Sequence, residues 1–64
     1  MTYVEKGEYG EAIKDYSKAI ELDPDDADVW NDRGDAYTKL GNEAKAKADY
    51  LKAEELKAKE KSKP

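Results

Sequence analysis

The chain repeats itself at a spacing of 34 residues, and this repeat constrains its fold more than any other feature. Pairing each residue with the one 34 positions further along gives nine identities. Average residue usage would give roughly two. The identical pairs are Tyr3/Tyr37, Gly7/Gly41, Ala12/Ala46, Asp15/Asp49, Tyr16/Tyr50, Lys18/Lys52, Ala19/Ala53, Glu21/Glu55 and Leu22/Leu56. A period of this length is typical of proteins built from stacked copies of one structural unit.

The content of the repeat resembles the tetratricopeptide repeat, whose pattern is W-x2-L-G-x2-Y, then A-x3-F, then P. Residues of both copies match this pattern: Trp30, Gly34, Tyr37, Ala46 and Tyr50 in the second, and Tyr3, Ala12, Tyr16 and Pro24 in the first. The resemblance implies an all-α fold of antiparallel helical hairpins. Because the first copy begins at its Tyr, the chain holds about one and a half repeats. We therefore expect an engineered or excised fragment of a repeat array.

The spacing of apolar residues predicts three helices. Apolar residues three and four positions apart predict an amphipathic helix over 8–22. The Asp-Pro-Asp-Asp segment 23–26 ends this helix and offers an N-cap to a second helix over 27–40. The Gly-Asn pair 41–42 closes the second helix and opens a third, over 43–61.

The chain is predicted to form a single domain. Residues 1–26 are a truncated first repeat, and residues 2–6 are a stub of its first helix. Residues 27–60 are a second repeat, and residues 57–64 are a solvated tail. The third helix is a polar cap of the array, because charged residues replace apolar residues of the first copy. The replacements are Tyr9 by Glu43, Ile13 by Lys47 and Ile20 by Glu54.

The composition argues against catalysis. The sequence has no Cys and no His, which removes thiol nucleophiles, the usual zinc ligands and the commonest general base. We therefore predict no enzyme, no cofactor and no metal site. The sequence contains neither an apolar run long enough to span a membrane nor the pattern of a signal peptide. A soluble protein of unknown compartment is therefore expected.

The charge is distributed unevenly. The net charge is −4, but residues 1–36 hold 11 acids and 4 bases, and residues 37–64 hold 5 acids and 8 bases. The acidic half disfavours nucleic acid as a partner. Opposite charges in the two halves favour contacts between copies of the chain.

Arg33 is the single arginine of the chain and stands where the resemblance implies Leu. Asp15 and Asp49 occupy equivalent places in the first and third helices, on stripes expected to face the second helix. Arg33 is predicted to form a bidentate ion pair with one of these two carboxylates. The sequence does not decide which.

Self-association is the first functional hypothesis. Ala12, Tyr16 and Ala19 form the stripe that the resemblance places against the first helix of the same repeat. With only the stub around Tyr3 to cover it, this stripe is left as an open groove. We expect a homodimer that covers the groove.

Peptide binding is the alternative hypothesis. In the tetratricopeptide family, extended peptides bind the concave surface lined by the first helix of each repeat. The resemblance assigns five residues to that surface here, namely Asp28, Asn31, Asp32, Asp35 and Lys39. Their net negative charge predicts weak binding of a basic peptide by a monomer.

Overall fold

The computed structural model describes the backbone of residues 2–62 and the side chains of residues 7–60. Three helices account for this part of the chain: α1 (Thr2–Leu22), α2 (Ala27–Leu40) and α3 (Glu43–Ser62). Helix α2 packs against both α1 and α3, and the short connections make neighbouring helices antiparallel. The predicted all-α fold of helical hairpins is confirmed.

The α1–α2 connection is fixed by local hydrogen bonds. Asp26 is the N-cap of α2, with extended backbone angles (φ −83°, ψ 95°), and its side chain accepts a bond from the Asp28 amide. The Trp30 indole N–H donates to the carbonyl oxygen of Pro24 at 2.8 Å. The connection is therefore tied back onto the first turn of α2.

The α2–α3 connection closes on Gly41, which takes the left-handed conformation at φ 85°. Its amide donates to the Thr38 carbonyl at 3.0 Å, and the Asn42 amide donates to the Tyr37 carbonyl at 2.9 Å. The Asn42 side chain then accepts a bond from the Lys45 amide at 3.3 Å. Both features expected at this turn, a left-handed Gly and a capping Asn, are present in the structure.

The first helix begins at Thr2, so residues 2–6 are its first turn rather than a separate stub. Gly7 lies inside the helix, although its equivalent Gly41 ends α2. The residues that follow explain the difference. Asn42 follows Gly41 and caps α3, whereas Glu8 follows Gly7, and Glu is a poor N-cap. Without a cap for a new helix, the backbone continues through Gly7.

The core lies between α2 and α3. Every fully buried residue within 7–60 belongs to one of these two helices: Ala27, Gly34, Ala36, Ala46, Asp49, Ala53 and Leu56. Trp30 is half-buried and packs against the cluster formed by Ala27, Ala53 and Leu56. Over residues 2–62, no helix combines the length and the apolar character that a bilayer span requires.

Candidate interaction site

The α2–α3 interface is built around a close approach at Gly34. A Cβ atom at Gly34 would lie 2.7 Å from Cε1 and 2.8 Å from Cδ1 of Tyr50, and 3.2 Å from the Ala46 carbonyl oxygen. The Tyr50 hydroxyl donates to Asp35 at 2.6 Å and lies 3.1 Å from the Thr38 hydroxyl oxygen. The hydrogen bond to Asp35 raises the pKa of Tyr50 above its ordinary value. Only a glycine lets the two helices meet this closely.

Arg33 joins all three helices. Its Nε and Nη2 atoms donate to the two carboxylate oxygens of Asp49 at 2.9 and 2.8 Å. Its Nη1 atom donates to the Ser17 hydroxyl on α1 at 3.1 Å. The side chain of Asp49 is 4% exposed and that of Arg33 is 19% exposed. The hydrogen bonds to Asp49 raise the pKa of Arg33 above its ordinary value.

Asp49, rather than Asp15, is thus the partner of Arg33 in the structure. Asp15 is exposed on α1. Ser17 was not identified from the sequence. One sequence feature could have indicated Ser17: the two copies of the repeat differ at this position. The equivalent residue on α3 is Leu51, which is 57% exposed.

Aromatic rings flank the guanidinium of Arg33. Its Cζ atom lies 5.1 Å from the centroid of the Trp30 ring and 5.8 Å from that of Tyr37. Two lysines of α3 lie over the same rings: Lys52 is 5.9 Å from Trp30, and Lys45 is 5.7 Å from Tyr37. These distances are within the range of cation–π attraction. The cluster therefore holds Arg33 in the orientation that its ion pair requires.

Five residues that α3 presents to α2 have identical counterparts on α1. We call Ala46, Asp49, Tyr50, Ala53 and Leu56 the α3 stripe, and Ala12, Asp15, Tyr16, Ala19 and Leu22 the α1 stripe. On the α3 stripe four residues are fully buried and the tyrosine is half-buried. On the α1 stripe none is fully buried. The α1 stripe therefore repeats the residues by which α3 packs on α2, but it is less buried than the α3 stripe.

The contrast is largest at the end of the stripe. Leu56 is 4% exposed and Leu22 is 78% exposed. Leu22 is not among the residues predicted for self-association, although its identity with Leu56 in the repeat could have indicated that it belongs to the same stripe. Ala12, Tyr16 and Ala19, which were assigned, are half-buried. The side chain of Tyr3, the fourth assigned residue, lies outside the described residues.

A groove of about 340 Å³ runs between α1 and α2. It is lined by Glu8, Tyr9, Ala12 and Tyr16 of α1 and by Asp32, Asp35, Ala36 and Lys39 of α2. The groove thus unites residues predicted for two separate functions, self-association and peptide binding. Three carboxylates and one ammonium group surround an apolar floor.

The other residues predicted for peptide binding differ in their surroundings. Asp28 is exposed and Asn31 is half-buried on α2, and neither lines the groove. Asp35 lines the groove but already accepts the hydrogen bond from Tyr50. Asp32 is the other α2 carboxylate that lines the groove. It is exposed and does not accept the hydrogen bond from Tyr50.

Comparisons with known proteins agree with the geometry. A family model described as TPR repeat matches residues 2–41, and one described as tetratricopeptide repeat matches residues 27–60. The human Superkiller complex protein 3 is 33% identical over 56 residues, which is 88% of this chain and 4% of that protein. The wheat (Triticum aestivum) Hsp70-Hsp90 organizing protein is 46% identical over 48 residues, or 75% of this chain and 8% of that protein.

The chain spans less than a tenth of the length of these relatives. What they share with it is the repeat itself. Both family models match half of the chain or more, and the helical hairpins have the packing that the repeat pattern requires. The chain belongs to the tetratricopeptide repeat family.

Proposed function

We propose that this chain is a protein-association module that binds a second copy of itself through the α1 stripe. Repeats of this family generally mediate protein–protein interaction.

One observation carries the proposal. Five residues of α3, of which four are fully buried, recur in the same order and spacing on α1, where two are exposed and three are half-buried. The stripe includes Leu22, the most exposed large apolar side chain among the described residues. Covering apolar surface stabilises a complex by about 25 cal/mol per Å². A second chain seated on the stripe would gain that energy.

Charge supports a second copy as the partner. The groove beside the stripe carries Glu8, Asp32 and Asp35 against Lys39. Helix α3 exposes lysines, among them Lys47, and also Leu51. An α3 helix from a second copy thus brings both the complementary charge and an exposed apolar side chain. If each copy contributes one α1 and one α3, a two-fold dimer closes without a free surface.

Sedimentation at increasing concentration tests the proposal. The wild type is expected to associate in the micromolar range, and Ala12→Glu/Ala19→Glu is expected to remain monomeric because it places two charges on the stripe. Lys14→Gln/Lys18→Gln is the control, since it lowers the net charge equally on exposed positions of the same helix. Circular dichroism verifies that each variant stays helical. A monomeric wild type, or equal association of all three proteins, would contradict the proposal.

A second candidate function is the binding of basic peptides in the same groove. It is favoured by the excess of carboxylates around the apolar floor. A Lys-rich peptide should bind more tightly than a Glu-rich one, and its affinity should fall with salt because exposed charges are screened beyond about 8 to 10 Å. Calorimetric titration of wild type, Asp32→Asn and the exposed control Glu11→Gln measures this. Tighter binding of the Glu-rich peptide would exclude it.

A further inference from the structure

We propose that the molecule has a docking surface for an acidic helix of a partner protein, formed by two lysines of α3 and the aromatic rings and arginine of α2 beneath them. We call this surface the basic face, and it consists of Trp30, Arg33, Tyr37, Lys45 and Lys52. It shares no residue with the α1 stripe or with the groove between α1 and α2. The inference therefore goes beyond the proposed function.

The basic face and the groove lie on opposite sides of α2. Each α2 residue of the face precedes a groove residue by two positions: Trp30 precedes Asp32, Arg33 precedes Asp35, and Tyr37 precedes Lys39. Two residues of an α-helix turn by about 200°. The molecule therefore presents excess negative charge on one side of α2 and lysine ammonium groups on the other.

The two rings hold the lysines in place without cancelling their charge. The Nζ atom of Lys52 lies 5.9 Å from the centroid of the Trp30 ring, and that of Lys45 lies 5.7 Å from the Tyr37 ring. A ring attracts an ammonium group through its π electrons but carries no net charge. Lys45 is exposed and forms no ion pair among the described side chains, although the chain has 16 acids and 12 bases. Its positive charge is therefore positioned and still available to a ligand.

Arg33 forms the centre of the face. Its hydrogen bonds to Asp49 on α3 and to Ser17 on α1 fix it between the two rings. These bonds use three of its N–H groups, and a guanidinium has further N–H groups that can donate to a ligand. Because the bonds join all three helices, only the folded chain assembles the face.

Glu55 is the carboxylate already beside the face. It lies 3.5 Å from the Nζ atom of Lys52, and the two side chains are 57% and 37% exposed. Ion pairs that are this accessible to water contribute little free energy. An incoming carboxylate can therefore replace Glu55 as the partner of Lys52.

The spacing of the lysines indicates the kind of partner. Lys45 and Lys52 are seven residues apart on α3, which is about 10 Å along the helix at about 1.5 Å per residue. A partner helix that lies along α3 and carries two carboxylates seven residues apart reaches both ammonium groups at once. Because the rings already order the lysines, less conformational entropy is lost on binding. A nucleic-acid strand fits less well, because its closely spaced phosphates would also meet Glu55.

The experiment titrates the full chain with two synthetic Ala/Gln helical peptides of identical composition. One carries two Glu seven residues apart, and the other carries them five residues apart, which places the carboxylates on different sides of the helix. Trp30 is the single tryptophan of the chain, so its fluorescence reports directly on the face. The seven-spaced peptide is expected to give a saturable change and to bind about fivefold more tightly than the other. Its affinity should fall as salt is added.

Lysine variants test the location of the site. Lys45→Gln/Lys52→Gln should weaken binding of the seven-spaced peptide about fivefold or more, whereas Lys45→Arg/Lys52→Arg should retain it because both charges remain. Lys18→Gln/Lys57→Gln is the matched control. It lowers the net charge equally, at exposed lysines that lie over neither ring. Circular dichroism verifies that each variant is folded.

A pair of glutamate variants tests the same site from the other direction. Glu55→Gln should strengthen binding about twofold, because it removes the carboxylate that competes for Lys52. Glu54→Gln removes the same charge from the neighbouring exposed position and should leave the affinity unchanged. Equal effects of the two substitutions would mean that only the net charge of the chain matters, which contradicts a defined site.

Three further results would overturn the inference: no change in Trp30 fluorescence, equal affinity for the two peptides, or binding that survives Lys45→Gln/Lys52→Gln. A single-stranded oligonucleotide titrated in parallel provides another. If it binds more tightly than the seven-spaced peptide and requires the same lysines, the ligand is a nucleic acid rather than an acidic helix.

Sedimentation separates this inference from self-association. Ala12→Glu/Ala19→Glu should lose self-association and keep peptide binding, whereas Lys45→Gln/Lys52→Gln should do the reverse. If the lysine variant instead loses self-association, a second copy occupies the basic face and the proposed partner is wrong. A Glu-rich peptide that binds wild type but not the lysine variant is bound by the basic face rather than by the groove.

Discussion

The guanidinium of Arg33 makes contacts that no other cation in proteins could make together. It bonds two oxygens of Asp49 in one plane, reaches Ser17 on α1 with a third nitrogen, and lies against the rings of Trp30 and Tyr37. A lysine has one nitrogen and could keep only part of this arrangement. Because Asp49 is buried, its carboxylate depends on Arg33 for compensation of its charge.

We predict that Asp49→Asn destabilises the protein while Asp15→Asn does not. Loss of the Asp49 charge leaves Arg33 under-satisfied in the interface, which should cost about 1 to 3 kcal/mol of unfolding free energy. Asp15 is exposed, so its substitution should change that free energy by about 0.5 kcal/mol or less. Urea denaturation of the two variants beside wild type and Arg33→Lys measures the difference. Equal midpoints for the two Asp variants would show that the pair contributes nothing.

Tyr50 gives a prediction for alkaline pH. Its pKa is raised in the folded protein because ionisation would break the hydrogen bond donated to Asp35. The stability that this bond contributes is therefore fully present below the ordinary tyrosine pKa. It is lost as the pH rises through the raised value.

Ultraviolet titration of tyrosinate can test this behaviour. The wild type should show a tyrosine that ionises above the ordinary range, and Tyr50→Phe should remove that step. Asp35→Asn should lower the pKa of Tyr50, because the amide is a weaker acceptor than the carboxylate. A late step that persists in Tyr50→Phe would assign the raised pKa to another tyrosine.

At the scale of helices, the sequence predicted the elements whose ends are set locally. The bounds of α2 were predicted and found at 27–40, because the capping Asp26 and the left-handed Gly41 act within a few residues. The start of α1 was not predicted. Gly7 resembles Gly41 in the repeat, but the residue that follows it decides whether a new helix can begin.

The partner of Arg33 could not be chosen from sequence for a related reason. Asp15 and Asp49 are the same residue in the same local pattern, so only the packing of whole helices distinguishes them. Leu22 and Leu56 are also equivalent in the repeat and differ in exposure, and here the chain context differs as well, because Leu22 ends α1 whereas Leu56 lies inside α3. A repeat predicts what a surface is made of, whereas its neighbours determine whether that surface is covered.

Two glycines within helices should respond oppositely to alanine. A Cβ at Gly10 would meet nothing within 4 Å, so Gly10→Ala should stabilise the protein by about 0.5 to 1 kcal/mol through helix propensity. At Gly34 the added atom would overlap the Tyr50 ring, which Asp35 and Thr38 hold in place. Gly34→Ala should therefore destabilise by about 1 to 2 kcal/mol. Thermal denaturation compares them, and a shift of the same sign in both would contradict the close approach.

At the scale of the whole molecule, the buried residues are unevenly distributed among the helices. The described part of the chain extends 48 × 22 × 15 Å. All of its fully buried residues lie in the α2–α3 hairpin, and none of residues 7–22 is fully buried. Helix α1 is joined to this hairpin by the Arg33–Ser17 bond and by half-buried side chains.

Native-state hydrogen exchange should therefore divide the molecule in two. In dilute solution the amides of residues 12–22 are expected to exchange through local opening, at a lower free energy than those of 46–56, because less buried surface must be exposed to open α1. The comparison is internal, since the two segments share the stripe residues and much of their sequence. Raising the chain concentration, which should cover the α1 stripe by self-association, should raise the protection of 12–22 toward that of 46–56. If the two segments are equally protected in the dilute monomer, packing on α2 alone is enough to stabilise α1. A partner that covers the α1 stripe would then add no protection to residues 12–22, which would contradict the prediction.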